Sequence, residues 1–236
     1  VNVIYLKTDG TGDGSSWASA KGDLQATIDA GVIGDEIWVA KGTYIVPTDT
    51  SFTLKNGVSL YGGFAGTEST KEARRDYRLG EANETKLSAD IDGNGFLTGG
   101  NAPRVIFGEF ISSLTTIDGF TITGGFSDVE KSNGAGMKLR ASSPNILNCT
   151  FFDNYCDDGG ALYLYRSGDI VSSPKVMNCY FIKGFANDDG GAMYLASGTQ
   201  AEFINCVFAY NFANDEGGAV RNYECSPRFI NCSFVY

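Results

Sequence analysis

Four related segments fill the C-terminal half of the chain, and they limit its fold more than any other feature. Each opens on glycine: "GAGMKLR" at Gly134, "GGALYLY" at Gly159, "GGAMYLA" at Gly190 and "GGAVRNY" at Gly217. Successive starts lie 25, 31 and 27 residues apart. A second anchor keeps step with the first, because Asn-Cys recurs at Asn148, Asn178, Asn205 and Asn231. Length changes fall between the anchors, chiefly in "YRSGDIVSSP", which reads as a swollen loop. A fixed-period unit of this size cannot bury an apolar face alone and must stack on its neighbours.

Each unit holds short strand patterns. After the glycines, apolar residues alternate: Met137 and Leu139, Leu162 and Leu164, Met193 and Leu195. After each Asn the same period of two gives Cys149/Phe151, Cys179/Phe181, Cys206/Phe208 and Cys232/Phe234. Alternation of this kind buries one face of a strand. Between the two patterns, the columns Ile146, Val176, Phe203, Phe229 and Leu147, Met177, Ile204, Ile230 are both apolar, so a bend lies near them. A WD-type propeller blade needs around 40 residues and fits worse. The spacing predicts an all-β chain coiled as a right-handed parallel β-helix, with equivalent residues stacked about 4.8 Å apart. Composition agrees: 31 Gly, 16 Phe and 12 Tyr suit many tight turns between strands.

Stacking gives the repeated acidic pairs a physical meaning. Asp157/Asp158, Asp188/Asp189 and Asp215/Glu216 each precede Gly-Gly, so six carboxylates form a ladder at one corner. Like charges about 5 Å apart repel by about 1 kcal/mol in water. Solvent, turn amides, raised pKa values or a hard cation must offset this. A solvated corner and a Ca²⁺ site both remain open readings. A second calcium candidate is "DIDGNG", where Asp90, Asp92 and Asn94 match the start of an EF-hand loop. Its position 12 is Asn101 instead of the bidentate Glu, and Asp and Asn beside Gly are also ordinary turn chemistry.

In the N-terminal half, "KGDLQATIDA" at 21–30 is the best helix candidate, with Leu24 and Ile28 on one face. A helix there would cover the open end of a solenoid, whose unpaired strand edges otherwise recruit other chains. The expected organisation is one domain: a cap over 1–35, irregular coils over 36–133 and regular repeats over 134–236. A polar excursion interrupts the irregular coils near 65–85. Of the six cysteines, Cys149, Cys179, Cys206 and Cys232 form one buried column. In-register parallel side chains fit disulfide geometry poorly, so free thiols are expected.

The formal charge is −10 and no basic tract occurs, which argues against nucleic acid and anionic membranes as partners. No apolar run is long enough for a spanning helix, so no membrane insertion is expected in this segment. With no His, Ser-His-Asp and Cys-His catalytic sets are excluded.

Two resemblances follow from these residues. "FFDN…GGAL" and "FAYN…GGAV" are similar to the Phe-x-x-Asn and Gly-Gly-Ala repeats of chlamydial polymorphic outer membrane proteins, with Gly184 where Asn is expected. The run from "SSWASAKGDLQATIDAGVIGDEIWVAKGTY" through "LKNGVSLYGGFAGTES" resembles secreted right-handed parallel β-helix surface proteins of Bacteroidota. The first family implies adhesins and the second implies large exported surface proteins. The chain stops inside a repeat at "INCSFVY", as a piece of a longer protein would.

The outward positions after Gly-Gly stack as Lys138, Tyr163, Tyr194, Arg221, with Arg140, Tyr165 and Tyr223 beside them. Such a strip could stack sugars or grip a protein, or merely stabilise the sheet. The expectation is a non-catalytic, adhesin-like protein at the cell surface or outside it. Its partner would be a glycan or a host or neighbouring-cell protein, with end-to-end self-association as a further option. The alternatives are a structural filament subunit or a polysaccharide lyase or hydrolase. A lyase needs a Lys or Arg base, and the repeat face offers Lys138, Arg140 and Arg221.

Overall fold

The computed structural model describes residues 2–47 and 50–236. Its strands form three sheets that run the length of the chain, and every pairing between named strands is parallel. The first sheet holds eight strands, from Val3–Leu6 and Glu36–Ala40 to Arg228–Ile230. The second holds six, from Phe52–Thr53 through Ile106–Glu109, Met137–Arg140, Leu162–Tyr165 and Met193–Leu195 to Val220–Asn222. The third holds eight, including Gly42–Ile45, Thr85–Ser88, Thr121–Thr123 and Thr150–Cys156. The chain visits second, first and third sheets in turn and climbs one strand per circuit. This is a right-handed parallel β-helix, as the repeat predicts.

The bend between the first and third sheets sits on the repeated asparagines. Asn148, Asn178, Asn205 and Asn231 have φ between 51° and 55°, the left-handed region that Asn tolerates better than most residues. Their amides also form a ladder: Asn178 Nδ2 donates to Asn148 Oδ1 and Asn205 Nδ2 to Asn178 Oδ1, each at 3.3 Å. Before this bend Ile146, Val176 and Phe203 are fully buried, while Leu147, Met177 and Ile204 face outward and are half-buried.

After the bend the third sheet sends Phe151, Phe181, Phe208 and Phe234 into one stack, with ring centroids 4.8, 5.0 and 4.6 Å apart. Cys149, Cys179 and Cys206 are buried beside them as free thiols, each donating to a carbonyl two residues back and to the preceding coil. Asn154 and Asn211, of the two Phe-x-x-Asn sequences, are spent inward: each accepts from one backbone amide and donates to a carbonyl of the previous coil. Gly184 breaks that motif because a Cβ there would lie 2.4 Å from Gly191 O.

A single α-helix, α1 (Leu24–Ala30), closes the N-terminal end, capped by Asp23 accepting from Ala26 N at 2.9 Å. It buries Leu24 and Ile28 as the pattern predicts. Gln25 also bonds both backbone groups of Thr53, satisfying the open edge of the second sheet. The polar excursion is anchored by Arg74, which donates to Gly62 O at 2.8 Å and to Asp118 at 2.9 Å in a buried ion pair.

Candidate functional site

The outward face of the second sheet carries the cations Lys138, Arg140 and Arg221. Pairing sets Lys138 beside Tyr163, Tyr163 beside Tyr194 and Tyr194 beside Arg221, while Arg140 lies beside Tyr165. The preceding coil adds Phe107 next to Lys138 and Glu109 next to Arg140. These are outward positions because their strand neighbours Met137, Leu139, Leu162, Leu164, Met193 and Leu195 are fully buried. The Tyr163 and Tyr194 rings stack at 5.2 Å, and Lys138 Nζ lies 5.4 Å from the Tyr163 ring and 5.1 Å from that of Tyr165. Tyr223 stands at the far end, 5.8 Å from the Arg221 guanidinium.

Charge along the strip is uneven. Arg140 pairs with Glu109 at 2.6 Å, and Arg221 pairs with Asp189 at 3.2 Å and Glu216 at 2.7 Å. Lys138 and Arg104 have no carboxylate partner among the described residues. Arg104 is held by backbone carbonyls instead, donating to Asn133 O at 3.0 Å and Gly134 O at 3.2 Å. Burial, with Arg104 and Arg140 nearby, pulls the Lys138 amine down to about 8. Lys138 Nζ donates to Asn133 Oδ1.

Asn133 also joins the lysine to the acidic corner. It forms a backbone bridge with Asp158. Burial first, and Asp157 second, push the Asp158 carboxyl up to about 6. Arg104 was not visible as part of the strip from sequence, because it lies in a loop outside the Gly-Gly register; Asn133, directly before Gly134, could have been found by aligning it with Asp158 before Gly159. Phe107 and Glu109 could have been found by aligning "IFGE" with "MKLR".

The acidic corner is stacked as the repeat predicts, and much of its repulsion is met within the chain. Asp157 is buried and accepts from Lys131 N at 2.6 Å and from Asn187 Nδ2 at 3.3 Å. Asp189 accepts from Glu216 N at 2.9 Å besides holding Arg221. Oxygens of Asp188, Asp189 and Asp215 lie within 4.8 Å of one another, close enough to share one cation. At the other candidate loop, the oxygens close turns: Asp90 Oδ2 accepts from Gly95 N, Asp92 Oδ1 from Asn94 N and Asn94 Oδ1 from Phe96 N.

The strip is an open surface, whereas cavities of about 380 and 360 Å³ lie at the N-terminal end and on the third sheet. An open strip suits a polymer, which need not be enclosed.

No family model and no curated protein matches the chain. Solved structures do. A rhamnogalacturonan lyase aligns over 98% of this chain at 14% identity, with a TM-score of 0.66. This chain spans 56% of that lyase's length. Pectin methylesterase PemA from Erwinia chrysanthemi covers 95% of this chain and 60% of its own at 14% identity, with a TM-score of 0.49. A pectin methylesterase from Aspergillus niger covers 99% and 85% at 11% identity, with a TM-score of 0.47. At such identities the likeness establishes the fold.

The expectation of a non-catalytic adhesin, with no enzyme activity, is corrected at this point. The solved structure that shares this fold over most of the chain is named a rhamnogalacturonan lyase, an enzyme and not an adhesin. Among the described residues, no helix is long and apolar enough to cross a membrane.

Proposed function

We propose that the chain carries the catalytic face of a polysaccharide lyase acting on a uronate-containing glycan. The observation that supports it is Lys138: an amine brought close to neutral pH, unpaired, on an aromatic strip and flanked by Arg104 and Arg140. β-Elimination begins with loss of the proton on the carbon next to the uronate carboxylate. That proton is weakly acidic unless the carboxylate charge is offset. Arg104 and Arg140 supply that offset, and Tyr163, Tyr165 and Tyr194 stack the sugar rings. Neutral Lys138 takes the proton as general base. Asp158, in its protonated form, donates to the departing glycosidic oxygen. The products are one chain end with a carbon–carbon double bond and one with a free hydroxyl. Asn133 sets the spacing of the base and the acid, accepting from Lys138 Nζ with its side chain and bridging Asp158 through its backbone.

Calcium at Asp188, Asp189 and Asp215 belongs to this proposal as a cation that ties adjacent coils together, beside Arg221. The reading also sets the chain outside the cell, where the resemblance to exported Bacteroidota β-helix proteins puts it and where such polymers occur. The test is incubation with polygalacturonate and with rhamnogalacturonan, following the ultraviolet absorbance of unsaturated ends. Wild type should generate them and Lys138→Met should not. If wild type releases no unsaturated ends from any uronate polymer, the lyase reading is wrong.

A further inference from the structure

A second concavity, of about 360 Å³, lies on the outward face of the third sheet, away from the strip. Its floor is set by register: Ser88 pairs with Thr123, and Thr123 pairs with Phe152. One wall is the loop after Thr85–Ser88, which the turns at Asp90, Asp92 and Asn94 fold back over the sheet. That loop places Phe96 on the rim, 71% exposed. An exposed aromatic held on a hydrogen-bonded loop above an aromatic floor is the usual make-up of a ligand groove.

The polar lining points to the ligand. Lys86, Asp90 and Asp153 all border the cavity, so carboxylates outnumber ammonium groups there. Burial raises the Asp153 carboxyl, with Lys183 opposing. Asp90 holds the wall in place, its Oδ2 accepting from Gly95 N at 3.0 Å. The balance is opposite to that of the cationic strip. A uronate would meet two carboxylates here, whereas a neutral sugar would find acceptors for its hydroxyls and rings for its apolar face.

We infer that this groove is a binding site for a neutral saccharide, stacked on Phe96 and Phe152 and hydrogen-bonded by Asp153 and Lys86. It does not depend on the lyase reading. It would let the chain hold neutral side branches while the strip engages an acidic backbone.

The test is a nitrogen-15 NMR titration of the whole chain with neutral trisaccharides of galactose, arabinose and glucose, and with trigalacturonate. At least one neutral trisaccharide should shift amides of 86–101 and 152–153 saturably. Phe96→Ala and Asp153→Asn should each weaken that binding by at least about tenfold, as loss of a stacked ring or a buried hydroxyl partner does. Lys138→Met should leave it unchanged. Because Phe96 is exposed, its truncation should preserve the spectrum elsewhere. The inference is overturned if no neutral sugar shifts the groove, if trigalacturonate shifts it as strongly, or if the Phe96→Ala chain binds like wild type. A groove that binds while Lys138→Met proves fully active would sink the lyase reading alone.

Discussion

Asn148 donates its side-chain amide to Asp118 Oδ1 at 2.8 Å, and the other oxygen of Asp118 accepts from Arg74 at 2.9 Å. The ladder of bend asparagines therefore ends on a buried ion pair, in which the arginine comes from the long polar excursion. Both side chains are less than a tenth exposed. Removing one partner leaves the other charge buried and unpaired. Arg74→Ala should destabilise the chain by about 3–5 kcal/mol in chemical denaturation. The double change to Arg74→Met and Asp118→Leu should cost much less, and equal losses would show that the charge itself is not what matters.

Activity on a uronate polymer should be bell-shaped in pH. The productive form has Lys138 neutral and Asp158 protonated. That form gains as pH rises until Asp158 titrates near 6, holds level, and declines past 8 only as Asp158 proton loss is no longer offset by Lys138. Asp158→Asn should remove the upper limb and most of the rate. A single rising limb in wild type would take Asp158 out of the mechanism.

The same aspartate should tie stability to pH. Its folded value, about 6, lies above its ordinary 3.8, so the fold holds the proton more tightly than the unfolded chain does. Its contribution is full below about 4 and is lost as pH rises through 6. Asp158→Asn should raise the melting temperature at pH 7 and give no such gain near pH 3.5, an outcome read by thermal melts at the two pH values.

Calcium should raise the melting temperature through Asp188, Asp189 and Asp215, because a ligand bound only by the folded state stabilises it by mass action. Asp188→Asn should reduce the rise. If wild type melts at the same temperature with calcium and with chelator, the corner is held by Arg221 and turn amides alone.

The second glycines of the inner turns, Gly136, Gly160 and Gly191, should tolerate no side chain, whereas Gly218 in the last turn should. A Cβ on Gly160 would sit 2.5 Å from Phe185 O and 2.6 Å from Gly191 O, both backbone. Gly160→Ala should cost about 1–3 kcal/mol, the usual range for overpacking. Gly168→Ala, with nothing within 4 Å, should cost only the strain of its left-handed φ of 58°.

The coil and its inward columns were legible because burial writes itself as alternation: Met137/Leu139 and Cys149/Phe151 both turn out to face the core. The bend could not be placed, because Ile146 and Leu147 are both apolar although only Ile146 is buried; Leu147 lies outside, next to the asparagine ladder. The strip was legible as a list of residues. Its chemistry was not, since the fall in Lys138 comes first from burial and then from Arg104, which a loop with no repeat register brings in. The role expected for the strip failed for a related reason: period and spacing show where side chains stack and say nothing of their protonation.

Glu109, Lys138 and Asp158 come from three consecutive circuits of the chain. Inserting one whole circuit between Lys138 and Asp158 would separate the proposed base and acid by a further strand spacing, about 4.8 Å, while leaving every circuit able to fold. On the lyase reading, duplication or loss of circuits outside this interval should spare activity and an insertion within it should abolish it, so natural length variants should keep this one interval constant.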